Sequence, residues 1–150
     1  MPQSVSCILL HLIFSTKDRH PLITADIEPQ LHAYMATILR ETSSVPVAVN
    51  GTPDHIHAFF SLSRTTQVCD VVEKVKKRSS KWIKTKGPDF RGFQWQAGYG
   101  VFSIGGSNAE ALREYVAKQK EHHRDKSFED EYRALLNKYR VDYDERYVWD

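Results

Sequence analysis

Cysteine is nearly absent: Cys7 and Cys69 are the only two in 150 residues, and they stand far apart. That excludes a disulfide framework and a thiolate zinc site, and it suits a reducing cytoplasm. Long apolar runs are missing as well. The N-terminal run from Cys7 to Phe14 is interrupted by His11 and has no basic segment before it. It reads as a strand, being too short for the roughly 18 apolar residues of a membrane span and wrongly flanked for a signal peptide. Neither sign of charge dominates, since 21 Lys and Arg against 19 Asp and Glu leave a net charge of +2. There is no internal repeat, low-complexity segment or linker. A length of 150 residues holds one domain with a real core and not two comfortable ones, so one domain over residues 1–150 is expected.

The pattern of what is present predicts an order of elements. Cys7 to Ser15 is almost continuously apolar, as a central strand covered on both faces must be. Leu31, Tyr34, Met35, Ile38 and Leu39 recur at helical spacing behind Pro29, which suits a first helical turn. Val45 to Val49 is rich in β-branched residues and leads through Asn50–Asp54 to a second strand, His55 to Leu62, so the pair reads as a hairpin. Thr65 or Thr66 caps a helix whose stripe is Val68, Val71, Val72, Val75, Trp82 and Ile83, ended by Gly87-Pro88. A loop with Phe90, Phe93 and Trp95 precedes a short strand, Tyr99 to Ile104. Gly105-Gly106 follows, then a helix capped by Ser107 or Asn108 and running towards His123. Ser127 opens a last helix with Phe128, Tyr132, Leu135, Leu136 and Tyr139 inward. The first six elements are β-α-β-β-α-β, so the fold class is α+β: a ferredoxin-like antiparallel sheet with an appended C-terminal helix pair.

Three constellations carry chemistry. In Asp54-His55-Ile56-His57, side chains alternate across the strand, so His55 and His57 leave one face and could share a metal ion. With seven histidines in the chain such a pair also arises by chance, and two strand histidines without a ligand are the plainer reading. In Tyr115-Val-Ala-Lys-Gln119, the phenol and the amide lie one helical turn apart on one face. A half-buried tyrosine on an amphipathic helix is the plainer reading there. Lys74, Lys76, Lys77, Arg78, Lys81, Lys84 and Lys86 crowd one helix with only Glu73 opposing them. A solvated face would explain the run, but the mutual repulsion is relieved if DNA phosphates neutralise it. The acidic tail around Asp142, Asp144, Glu145 and Asp150 leaves the stripe local.

Four blocks together resemble the single-tyrosine HUH transposases, the small insertion-sequence enzymes and their REP-associated relatives. These are residues 11–19 (HLIFSTKDR), 54–57 (DHIH), 93–103 (FQWQAGYGVFS) and 115–123 (YVAKQKEHH). The resemblance implies a divalent metal, Mg²⁺ or Mn²⁺, bound by His55, His57 and Gln119, with Tyr115 as nucleophile. Glu121, His122 or His123 could replace or supplement Gln119. It also implies a homodimer in which the tyrosine helix can pack on the partner's histidines, Gly105 and Gly106 serving as the joint. The implied partner is single-stranded DNA with a hairpin, approached by Lys17, Arg19, Lys74, Lys77, Arg78, Lys81 and Lys84; no membrane and no nucleotide cofactor is needed. Attack by Tyr115 would leave a 5′-phosphotyrosine that conserves the phosphodiester for rejoining. Two other readings are a relative that binds DNA without cutting it and a metal-dependent hydrolase of small phosphoesters.

Overall fold

A computed structural model describes residues 2–150. Its strands are β1 (Leu9–Ser15), β2 (Val45–Thr52), β3 (His55–Ser61) and β4 (Gly100–Ile104), and its helices are α1 (Glu28–Glu41), α2 (Val68–Ile83), α3 (Ala109–Ala117), α4 (Gln119–His122) and α5 (Phe128–Lys138). The four strands form one sheet in the order β2-β3-β1-β4, every pair antiparallel. The β-α-β-β-α-β order is therefore present, with β1 flanked on both sides. That position explains why its sequence is apolar without alternation.

Alternation along the strands divides the molecule into layers. Leu10, Leu12 and Phe14 of β1 and Ile56, Ala58 and Phe60 of β3 pack with Leu31, Met35, Ile38 and Leu39 of α1 and Val71, Val72 and Val75 of α2. On the opposite face, Ile13 and Phe102 meet Phe128, Tyr132, Leu135 and Leu136 of α5. Phe59 meets Leu112 and Val116 of α3 on that same side. His11, His55 and His57 are buried there as well. The register places Ile13 opposite His57 and Ser15 opposite His55, so the histidine pair stands at the end of the sheet where β1 finishes.

Three boundaries differ from the sequence reading. The hairpin is tighter, because pairing continues through Asn50, Gly51 and Thr52 and leaves only Pro53 and Asp54 to turn. Gly51 permits this: a Cβ there would lie 2.2 Å from the carbonyl oxygen of His55. Helix α2 starts beyond Thr65 and Thr66, with Gln67 as its cap residue and no side-chain cap bond. The tyrosine helix does not run unbroken to His123, so the appended part is three helices and not a pair. It breaks at Lys118 (φ −101°, ψ 21°), where Asn50 donates from Nδ2 to the carbonyls of Val116 (3.0 Å) and Ala117 (3.1 Å). Those end carbonyls are thus satisfied by a neighbouring strand. The Ser127 cap forms as expected, its Oγ accepting from the Asp130 amide at 3.1 Å. Phe93 and Trp95 of the aromatic loop are buried in the α1–α2 core.

Candidate metal and tyrosine centre

Each histidine of the pair is aimed by a partner behind it. His55 Nδ1 lies 2.7 Å from Asp54 Oδ1 and 2.8 Å from Thr52 Oγ1, which turns its Nε2 away from the hairpin. His57 Nδ1 lies 2.7 Å from His11 Nε2, which turns its Nε2 the same way. A carboxylate on Nδ1 fixes the tautomer that leaves Nε2 free to bind, as Asp54 does for His55. Burial pushes His57 down to about 4 and, with His57 beside it, drives His11 well below the ordinary histidine range. Both rings are therefore neutral at pH 7, the form a metal requires. Asp54 stays ionised below its ordinary value even though burial opposes this, because His55 and Thr52 hydrogen-bond to it.

Gln119 and Tyr115 come to this point from the other layer. Leu112 and Val116 anchor α3 on Phe59, and the break at Lys118 tips Gln119 into the buried interior. Its Oε1 lies 3.2 Å from His55 Nε2. The Tyr115 ring stands 6.0 Å from His57 and 6.3 Å from His11, edge-on to both, and stacks on His122 at 4.6 Å. Of the three alternative ligands, Glu121 is exposed and His122 serves the stack. His123 is the one that reaches the cluster.

The residue that sequence reasoning missed is Glu131, on α5. Its Oε1 lies 2.9 Å from His57 Nε2, 2.9 Å from His123 Nε2 and 3.5 Å from His55 Nε2. Its Oε2 accepts the Tyr115 hydroxyl and, at 3.2 Å, the Gln119 amide. Burial alone would raise the Glu131 carboxyl, but hydrogen bonds from His123 and His57 hold it well below the carboxylate range. Burial and the charge of Glu131 together drive the Tyr115 phenol well above its ordinary value. Burial opposes charge on His123, yet Glu131 lifts it above the usual imidazole value. A signal was available: position 131 lies between Phe128 and Leu135 on the inward stripe of α5, and a carboxylate there is costly unless partnered.

The donor set fits a divalent cation. One ligand atom from each of His55, His57, His123 and Glu131 lies within 4.8 Å of the others. Donors bound to one ion at about 2.1 Å stand about 3–4 Å apart, so small side-chain shifts suffice. Imidazole nitrogens with a carboxylate suit manganese, while magnesium prefers oxygen alone.

The basic residues separate into free and engaged ones. Lys74, Lys77 and Lys81 are exposed along α2, and Lys84 is exposed just past its end. Lys17 and Lys77 line one cleft of about 770 Å³ with Trp95, Tyr99 and Trp149. Lys76 is turned away from the stripe, donating to the carbonyls of Gln96, Ala97 and Gly98 at 2.6–3.0 Å. Arg78 is paired with Glu41, and Arg19 donates to the Trp149 carbonyl at 2.9 Å. Gly105 takes ordinary extended angles (φ −71°, ψ 147°), and Gly106 opens a short 3-10 turn.

The fold is one found in transposases. A Deinococcus radiodurans R1 protein assigned to the transposases superposes with a TM-score of 0.62 at 22% identity, covering 79% of this chain and 98% of that one. A REP-associated tyrosine transposase bound to a REP hairpin superposes with a TM-score of 0.59 at 13% identity, covering 82% and 72%. In sequence, the chain is 20% identical over 114 residues to the ISDra2 transposase TnpA of D. radiodurans, covering 73% of this chain and 81% of that protein. The profile of the family described as "Transposase IS200 like" matches residues 4–119. The chain belongs to the IS200-like transposase family. No helix among the described residues is long and apolar enough to cross a membrane.

Proposed function

We propose that this transposase cuts and rejoins single-stranded DNA through a 5′-phosphotyrosine on Tyr115, beside a divalent ion, Mg²⁺ or Mn²⁺, held by His55, His57 and Gln119. The observation that carries this reading is the convergence of all four side chains on one point, from β3, from the tyrosine helix and from α4 just past its break. When bound, the ion supplies charge neutralisation and polarisation at the scissile phosphate. The chain's own groups do the rest. Tyr115 Oη attacks phosphorus as the bond to the 3′ oxygen breaks, and that oxygen leaves as a hydroxyl once protonated. The phenolic proton starts on the contact with Glu131 Oε2, an acceptor already in place. Attack by a later 3′-hydroxyl on the phosphotyrosine reverses the step and releases the phenol, so no nucleotide cofactor enters.

The four groups are covered in this arrangement, and a phosphodiester needs room. Clefts of about 490 Å³ at Asp54 and His123 and about 450 Å³ at His11 and Tyr115 flank the centre. A shift of the tyrosine helix about Gly105-Gly106 would join them. The chain acts as one domain over residues 1–150 and as a homodimer, and its substrate carries a hairpin, as the REP-bound relative does. Lys17, Arg19, Lys74, Lys77, Arg78, Lys81 and Lys84 face the DNA backbone in this reading.

The test is incubation with Mn²⁺ and a labelled single-stranded hairpin oligonucleotide, followed by a denaturing gel. A covalent protein–DNA adduct with a free 3′-hydroxyl fragment is expected. Binding without cleavage would make the chain a non-cutting relative. Cleavage of small phosphoesters with no adduct would make it a hydrolase.

A further inference from the structure

Glu131 enters the proposed reaction through Oε2 alone, which leaves its other oxygen without a role. Three imidazole nitrogens from β3 and from the segment after α4 converge on a single oxygen, Oε1 of Glu131, at 2.9–3.5 Å. The other oxygen of that carboxylate holds the tyrosine. A carboxylate surrounded in this way, 2% exposed on an otherwise apolar helix stripe, is placed by what it binds, since packing alone would favour an apolar residue. Resting on the metal-dependent reading, we infer that Glu131 is itself a ligand of the divalent ion through Oε1, while its Oε2 positions the Tyr115 phenol. The metal centre then spans β3 and α5 of one chain, and one carboxylate joins the ion to the nucleophile.

This assigns a role to α5 beyond covering the sheet. A hard anionic oxygen adds affinity for Mn²⁺ or Mg²⁺ that the neutral amide of Gln119 supplies less well.

Mn²⁺ alone is the probe, measured on the full chain by calorimetry and by electron paramagnetic resonance of free Mn²⁺. Glu131→Gln is expected to weaken Mn²⁺ binding more than about a hundredfold, beyond the roughly 10–100-fold loss typical of outer partners, while Tyr115→Phe stays within about twofold of the unmodified chain. Circular dichroism of each variant checks folding. A second measurement needs no variant: protein labelled with ¹³C at its glutamate carboxyls, loaded with one equivalent of Mn²⁺, should show a direct ¹³C coupling. Unchanged affinity in Glu131→Gln, or no such coupling, overturns the assignment of Glu131. If His57→Ala also leaves affinity unchanged, the metal reading itself fails, which separates the two outcomes.

Discussion

The hydroxyl of Tyr115 donates to Oε2 of Glu131, sixteen residues further along the chain and on a different helix. The same carboxylate faces His57 with its other oxygen. Tyrosine, histidine and carboxylate thus form one connected unit inside a single chain, and the predictions below follow from how that unit and its surroundings are built.

Replacing Tyr115 with phenylalanine removes one oxygen and leaves the ring on His122. We expect the covalent adduct to vanish while hairpin binding stays within about twofold and folding is kept. An adduct surviving on the denaturing gel would move the nucleophile elsewhere, with Tyr99 and Tyr132 next in line.

His57→Ala should abolish cleavage with either metal and weaken Mn²⁺ binding by at least about tenfold. Mn²⁺ should support cleavage at least as well as Mg²⁺. Cleavage at full rate in excess chelator would contradict a metal role.

The exposed lysines of α2 should act through phosphates and not through bases. Replacing Lys77, Lys81 and Lys84 with alanine is expected to weaken binding to all single strands alike. The slope of log affinity against log salt should flatten by about 2, given roughly 0.7 per neutralised phosphate. A slope that does not move would return these lysines to the role of a solvated face.

Tyr115, His55, His57 and Gln119 stand together in one chain, so a mixture of Tyr115→Phe and His57→Ala protomers is expected to remain inactive even after subunit exchange. The resemblance implied a tyrosine helix that can reach the partner's histidines. Recovered cleavage in the mixture would establish that exchanged arrangement, because only a hybrid dimer could then hold one intact site.

Acid should loosen the fold through a histidine outside the metal cluster, His32 of α1. Burial lowers His32 to about 4, against the pull of Glu28. Its folded value lies below its unfolded one, so as pH falls from about 6.5 to about 4 the unfolded chain takes up a proton that the folded chain refuses. Stability is lost over that window, by roughly 2 kcal/mol between pH 7.5 and pH 5. Thermal melts at the two pH values should show a smaller drop for His32→Gln than for the unmodified chain; equal drops would dismiss the effect.

Much of this was legible in the residues because it rests on local periodicity. Alternation in residues 54–57 put His55 and His57 on one face, helical spacing put Tyr115 and Gln119 together, and the apolar run of β1 announced its place between two strands. What escaped depends on contacts made at long range. Locally Glu131 is one of three charges in an acidic first turn, and nothing local states that α5 lies against β3. His11 looked like an interruption of a strand until pairing set it behind His57. The break at Lys118 has no proline or glycine to mark it; the tie there comes from Asn50, 66 residues before the Val116 carbonyl that it holds.

That tie from Asn50 gives α3 two unlike ends. One end follows a pair of glycines with open space around them. The other is fastened to the edge strand of the sheet by paired amide bonds, worth on the order of 1 kcal/mol each. A rod held this way swings only after its latch is undone and the packing of Leu112 and Val116 on Phe59 is broken. Any release of Tyr115 would then depend in part on β2, through a side chain, Asn50, that bonds to the backbone of the helix carrying it.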